Sequence, residues 1–212
     1  PEPKNLASLK AEVGRRWNQL YLLDMLKEGD LRIGFTPLFK SPTPHEILPR
    51  EILQRRLLLC LFGLGTNAGM KRVASGSQTE SYRDLLYVLH RFINKDNLRA
   101  AIAEIANAVL RERNVVIWGE ATSLASDSKK ISAWDQNLMT EWHIRYRGPG
   151  IMVYWHVEKK ALCIYSQIKR CSSSEVAAMI EGVLRHATNM DVEKDYVDSH
   201  GQDEAAFAFC SM

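Results

Sequence analysis

The sequence predicts a mixed α/β protein, with a mainly helical region over residues 1–115 followed by a sheet-containing domain over 116–212. Three observations predict it. Apolar residues recur at helical spacing through the first half. Stretches rich in strand formers, GIMVYWHV at 150–157 and ALCIYSQI at 161–168, come only after it. The order there (three strands, a helix, a strand, a helix) is that of an antiparallel hairpin followed by a helical crossover, which gives a mixed sheet.

Each element has its own warrant. Leu6, Leu9, Val13, Trp17, Leu20, Leu23 and Met25/Leu26 recur at helical spacing and predict one helix over 6–26. The next stretch, GDLRIGFTPLFKSPTPHEILP, holds four of the seven prolines and reads as a connector. Pro49 opens a helix over 50–62. GLGTNAG should end it; the tract lacks the Lys-Ser/Thr that closes a phosphate loop, so a helix–helix turn is the better reading. Thr79 or Ser81 can cap a helix ending at Phe92, and Asn94 or Asp96 an Ala-rich one ending near Arg113. TSLASDS at 122–128 is a short strand. EKK makes a hairpin turn between the next two, with Lys159 and Lys160 at its tip. SSSEVAAMIEGVLRHA opens on serines with Glu175 in its first turn and reads as a capped helix. KDYVDSHG reads as a strand, and DEAAFAFCS starts a helix. Asp135 can cap a helix that carries Glu141.

With 212 residues, 46% of them apolar and 25% charged, the chain has the composition of a globular protein with a sizeable core. Its longest apolar run, Leu57 to Phe62, is far short of the roughly 20 residues a membrane span needs. PEPKNLASLK has no signal-peptide core, so the expected location is cytoplasmic. Four cysteines without a C-x-x-C pair argue against zinc and a disulfide framework, and predict buried thiols. Residues 1–120 carry 18 Lys/Arg against 13 Asp/Glu, and residues 121–212 carry 10 against 12. A basic front beside an acidic back suits a DNA-facing part next to a metal-holding part, and equally suits chance.

Asp127 lies inside a predicted strand, where aspartate is depleted. Asp198 ends another. If those strands are parallel neighbours, both carboxylates reach one point. Paired carboxylates bind hard divalent cations through oxygen, and such ions assist phosphodiester chemistry. The alternative is a pair of solvated turn or cap residues. The six histidines form no zinc-hydrolase pattern, and the serines no nucleophile elbow. Lys129, Lys130, Arg145 and Arg147 flank the acidic positions and are candidates for phosphate contact, as is His200. Arg15, Arg16, Lys71 and Arg72 are candidate DNA contacts in the first half. Trp118, Trp134, Trp142 and Trp155 read as core residues, with base stacking as the less common role.

The segments LLLCLFGLGTNAGMKR, ESYRDLLYV, LRAAIAEIANAVL, ASDSKKISAWDQNLMTEWHIRY, MVYWHVEKKALCIYSQIKRCSSSEVAAMIEGVLRHATNM and YVDSHGQDEAAFAFC resemble the catalytic core of replicative transposases of the Tn3 family. The resemblance runs from about Leu6 to Cys210. It implies an RNase H-like domain with a metal-binding Asp-Asp-Glu triad. Asp127 in ASDSKK would be the first member and Asp198 in YVDSHGQ the second. Both would be catalytic and would hold Mg²⁺ (or Mn²⁺). The third, a Glu on a later helix, is expected beyond residue 212, since Glu204 is too near Asp198 in sequence. The family's polypeptides are several times longer, so the chain is expected to be a fragment, its sheet domain truncated at the C-terminus. The implied activity is 3′-end cleavage and strand transfer at transposon ends. The implied partners are DNA (terminal inverted repeats and target) and a second subunit in a full-length homodimer, at the bacterial nucleoid, with no membrane. The alternative is a non-catalytic DNA-binding or dimerising remnant of the family. A simple RNase H-type nuclease leaves the helical first half without a role.

Overall fold

The computed structural model describes residues 3–17, 21–42, 48–198 and 203–211. The chain divides into two compact units, Pro1–Ala101 and Ile102–Met212.

The first unit is helical. Helix α1 covers Leu6–Arg16 and α2 Leu22–Ile33. The periodicity that predicted one helix over 6–26 is therefore spread over two. Trp17 is extended after α1 (φ −116°, ψ 113°), and Tyr21 is extended before α2 (φ −85°, ψ 143°). Because α1 buries no residue, no packed face holds a long helix together, and packing is where most helical stability comes from. Conversely, α2 runs on into the predicted connector. Asp30, 3% exposed, accepts from Thr36 N at 2.8 Å, Thr36 Oγ1 at 2.7 Å and the Gln54 amide. Gly34 then closes the helix at φ 75°, donating its N–H to Asp30 O.

Helix α3 spans Arg50–Gly65 and α4 Met70–Gly76. GLGTNAG is the helix–helix turn between them, with Asn67 at φ 54° and Gly69 at φ 76°. Ser81 caps α5 (Tyr82–Phe92) in a capping box with Asp84. Asn94 Oδ1 accepts from Asn97 N, 2.9 Å away, at the start of α6 (Lys95–Glu112). Leu85, Val88 and Phe92 of α5 and Leu57, Leu58 and Cys60 of α3 are buried with Phe35, Phe39 and Met70. Glu80 is buried between Arg55 and Arg56 (2.6 and 2.5 Å).

The second unit holds a one-turn helix α7 (Val115–Trp118), then β1 (Ser123–Ser132), β2 (Glu141–His143), β3 (Gly148–Glu158), β4 (Cys163–Lys169), α8 (Glu175–Arg185), β5 (Lys194–Val197) and α9 (Glu204–Cys210). β3 is antiparallel to β1, β2 and β4, and β5 is parallel to β1. β2 and β4 lie end to end along one edge of β3, so the order across the long strands is β4-β3-β1-β5. The mixed sheet predicted from the hairpin and crossover is thus present. Tyr154, Val176, Ala178, Met179 and Ala206 form one apolar cluster, joining β3, α8 and α9. Leu124, Ile164, Tyr165 and Met190 form a second.

Other expectations fail locally. The helix predicted from Asp135 to Glu141 is a series of turns leading into β2. Glu141 pairs with Gly150 of β3, and its carboxylate accepts from Ser172 N (2.9 Å) and Oγ (2.6 Å). These long-range bonds outweigh local helix preference. Ser174 precedes α8 without capping it through its side chain. Trp118, Trp134 and Trp142 are exposed (53, 84 and 65%) instead of packed in a core, because they stand on the one-turn helix α7, the turns after β1 and the short β2. Cys210 is exposed while Cys60 is buried, and all four thiols are free. Among the described residues, no helix is long and apolar enough to cross a membrane.

Candidate functional site

The parallel pairing of β1 with β5 sets the site. Its register places Ser123 opposite Lys194 and Ser126 opposite Val197. β5 ends there, while β1 continues for six more residues against β3 alone. One position further along the two strands stand Asp127 and Asp198. Both line an open cleft of about 750 Å³ beside the end of β5. Its other walls come from Ser128 of β1, Met152 of β3, Lys169 of β4, Glu175 and Val176 of α8, and His143 to Tyr146 of the β2–β3 turn.

The cleft is acidic, with Asp127, Glu175, Asp198 and Asp203 against Lys169 and Arg145. Asp127 is exposed and accepts from the Ser128 N–H at 2.6 Å. Glu175 accepts from Ser128 Oγ at 2.5 Å and lies 3.7 Å from the Lys169 ammonium. Asp203 caps α9 through Ala205 N. Burial raises the pKa of the Tyr154 hydroxyl far above its usual value, and the carboxylates of Asp195, Glu175, Asp198 and Asp127 push the same way.

Behind the cleft, a buried polar chain ties three strands together. Ser126 Oγ donates to Asp195 (2.7 Å to Oδ1, 3.0 Å to Oδ2) and lies 2.8 Å from His156 Nδ1. His156 Nε2 is buried with no hydrogen-bond partner. Helix α8 passes directly over it: a Cβ at Gly182 would lie 1.8 Å from Nε2. Burial lowers the His156 pKa to about 4 and raises that of Asp195, the latter opposed by the Ser126 hydrogen bond.

Of the residues singled out in the sequence, Asp127, Asp198 and Arg145 line one cleft. Lys129, Lys130 and Arg147 do not line it. Lys129 faces Val153 in the β1–β3 register, the Lys130 ammonium reaches toward Gly148, and Arg147 sits in the β2–β3 turn at φ 45°. His200 lies outside the described residues. Sequence reasoning missed Lys169 and the Ser126–His156–Asp195 chain, and took Glu175 for a residue of the helix's first turn alone. The one signal available was chemical: charged or polar residues at inward positions of predicted strands. Asp127 and Asp198 are hard oxygen donors, which suits Mg²⁺ or Mn²⁺, since such ions commonly take one or two carboxylates and complete their shell with water and substrate phosphate. Among the described residues, no three His, Cys, Asp or Glu side chains group closely enough to hold a metal by themselves.

Comparison with known proteins gives these features a family. The model of the Tn3 transposase DDE domain matches residues 24–212. The chain is similar to the transposase for transposon Tn2501 of Escherichia coli, 26% identical over 90% of this chain and 19% of that protein. It is also similar to the transposase for transposon Tn1546 of Enterococcus faecium (23% identical, 99% of this chain, 21% of that protein). A third relative is the transposase for transposon Tn501 of Pseudomonas aeruginosa (24%, 99% and 21%). The chain spans about a fifth of the length of these curated relatives. With a family match across most of its length, the chain belongs to the Tn3 transposase DDE domain family.

Proposed function

We propose that this chain is part of the catalytic core of a DNA transposase, an RNase H-like domain whose Asp127 and Asp198 hold a divalent cation, Mg²⁺ or Mn²⁺, at a scissile phosphodiester. One observation carries the reading: two carboxylates from adjacent parallel strands line one cleft. The strand order β4-β3-β1-β5, with α8 as the crossover, supports it. A bound cation supplies positive charge to the phosphate and lowers the pKa of an attacking water. The protein's own part is to place oxygen donors. Asp127 is fixed by the Ser128 N–H, and Asp198 follows directly from the paired strand. A cation between them would offset the repulsion of two carboxylates that line one cleft. Arg145, on the cleft rim, contacts backbone phosphate and positions DNA without reading sequence.

In the intact protein the activity is 3′-end cleavage at the terminal inverted repeats, followed by strand transfer to target DNA within a homodimer. The lack of a three-ligand group among the described residues favours a second reading, a DNA-binding or dimerising module without its own chemistry. Calorimetry separates the two. Mn²⁺ is titrated into this chain and into an Asp127→Ala, Asp198→Ala double variant. Binding that vanishes in the variant supports the catalytic reading. Absence of binding in a folded wild-type chain favours the module. Strand transfer retained by an Asp127→Ala full-length enzyme would sink the assignment.

A further inference from the structure

We infer that Lys169 is a phosphate-binding residue of this cleft and that Glu175 holds its ammonium in place until DNA enters. The inference rests on the reading of the cleft as a nucleic-acid site.

The placement comes from the sheet. Lys169 ends β4 opposite Met152, and Met152 lies opposite Lys130 of β1. Its side chain is 6% exposed, yet it forms part of the cleft wall. An ammonium is seldom buried without a close partner, because desolvation costs several kcal/mol per ion. Lys169 pairs with Glu175 at 3.7 Å, beyond hydrogen-bond distance. Glu175 meanwhile takes a short bond from Ser128 Oγ. The pair is therefore loose on the lysine side and tight on the glutamate side. Glu175 is anchored without the lysine, whereas Lys169 still has donors to give.

The charge of the cleft points the same way. Four carboxylates face two cations, Lys169 in the wall and Arg145 on an exposed turn. A polyanion entering this cleft meets net negative charge, so each cation inside it counts. A phosphate oxygen offers Lys169 a fully charged acceptor at hydrogen-bond length, shorter and stronger than its contact with Glu175. Arg145, being exposed, contacts DNA from the rim. Lys169 acts where the reacting phosphate lies.

The test measures binding of a short fluorescein-labelled duplex to this chain by anisotropy, in EDTA, across a series of salt concentrations. In Lys169→Met, the slope of log K against log salt becomes shallower by about 0.9, the value for one phosphate contact. Affinity near 0.1 M salt falls roughly eightfold, the factor that slope gives over a tenfold change in salt. Glu175→Gln keeps the Ser128 contact, releases the lysine and binds more tightly. An unchanged slope in a folded Lys169→Met variant overturns the inference. If that variant does not fold, Glu175→Gln decides: affinity equal to or below wild type overturns it. The Asp127→Ala, Asp198→Ala variant, titrated with Mn²⁺ and DNA, separates the two readings. Loss of Mn²⁺-stimulated binding there with a normal slope in Lys169→Met removes Lys169 alone. Unaltered Mn²⁺ stimulation removes the metal reading and leaves the lysine result standing.

Discussion

At the residue scale, one side chain carries the clearest solution behaviour. His156 is fully buried and its pKa is lowered to about 4, burial being the largest cause. The unfolded chain protonates a histidine near 6.5, so between about pH 6.5 and 4 the unfolded state binds more protons. Stability is full above that window and falls with pH through it, by about 3 kcal/mol from this group. His186, also lowered by burial, adds to the loss. Asp195 works in the opposite sense, since its raised pKa favours the folded state at low pH. Urea unfolding of wild type and His156→Gln at pH 7 and pH 5 measures the difference; equal losses in both proteins would exclude His156 as the source. Gly182 gives a second prediction. A methyl group there has no room beside the imidazole, so Gly182→Ala costs about 1–3 kcal/mol or more, as overpacking does. Adding His156→Ala to Gly182→Ala costs less than the two separate losses summed, the mark of direct contact in a double-mutant cycle.

At the element scale, the helices of the first unit and the strands of the second follow different rules. Helix α5 is specified locally: an apolar stripe at Leu85, Val88 and Phe92, and a capping box at Ser81. Ser81→Ala should lower stability by about 1 kcal/mol, while Thr79→Ala changes it by less than about 0.5 kcal/mol. Thermal unfolding of the two variants checks this. The strands depend on partners. β2 has three residues and exists through β3 and through the Glu141 bonds to Ser172. β5 has four, and its parallel register with β1 ends at Ser126 opposite Val197, one residue before Asp127 and Asp198. The Ser126–Asp195 hydrogen bonds join those same two strands within the paired stretch. They are a side-chain clamp beside the backbone ladder.

At the scale of the whole molecule, each unit has its own apolar core, and the cleft carboxylates Asp127 and Asp198 are exposed. The fold therefore does not depend on a cation. Circular dichroism should be unchanged on adding EDTA. Mn²⁺ should raise the melting temperature as a ligand does, by up to about 2.7 kcal/mol of added stability at 100 times its dissociation constant. A collapse of secondary structure in EDTA would contradict this.

The sequence by itself determined the order and type of most elements: Pro49 marks the start of α3, capping residues mark α5 and α8, an Ala-rich periodic run marks α6, and β-branched and aromatic runs mark β3 and β4. It also determined which carboxylates merited notice, because aspartate inside a strand is locally disfavoured and needs a reason. Only the tertiary structure decided that α1 and α2 are separate, that 135–141 is not a helix, and that Lys169 and Glu175 meet Asp127 and Asp198. Those outcomes depend on pairs distant along the chain, such as Asp30 with Gln54, Glu141 with Ser172 and Ser128 with Glu175. Local patterning reports the face an element presents. Which partner covers that face is set by chain closure over tens of residues, and no short window of sequence contains both sides of such a contact.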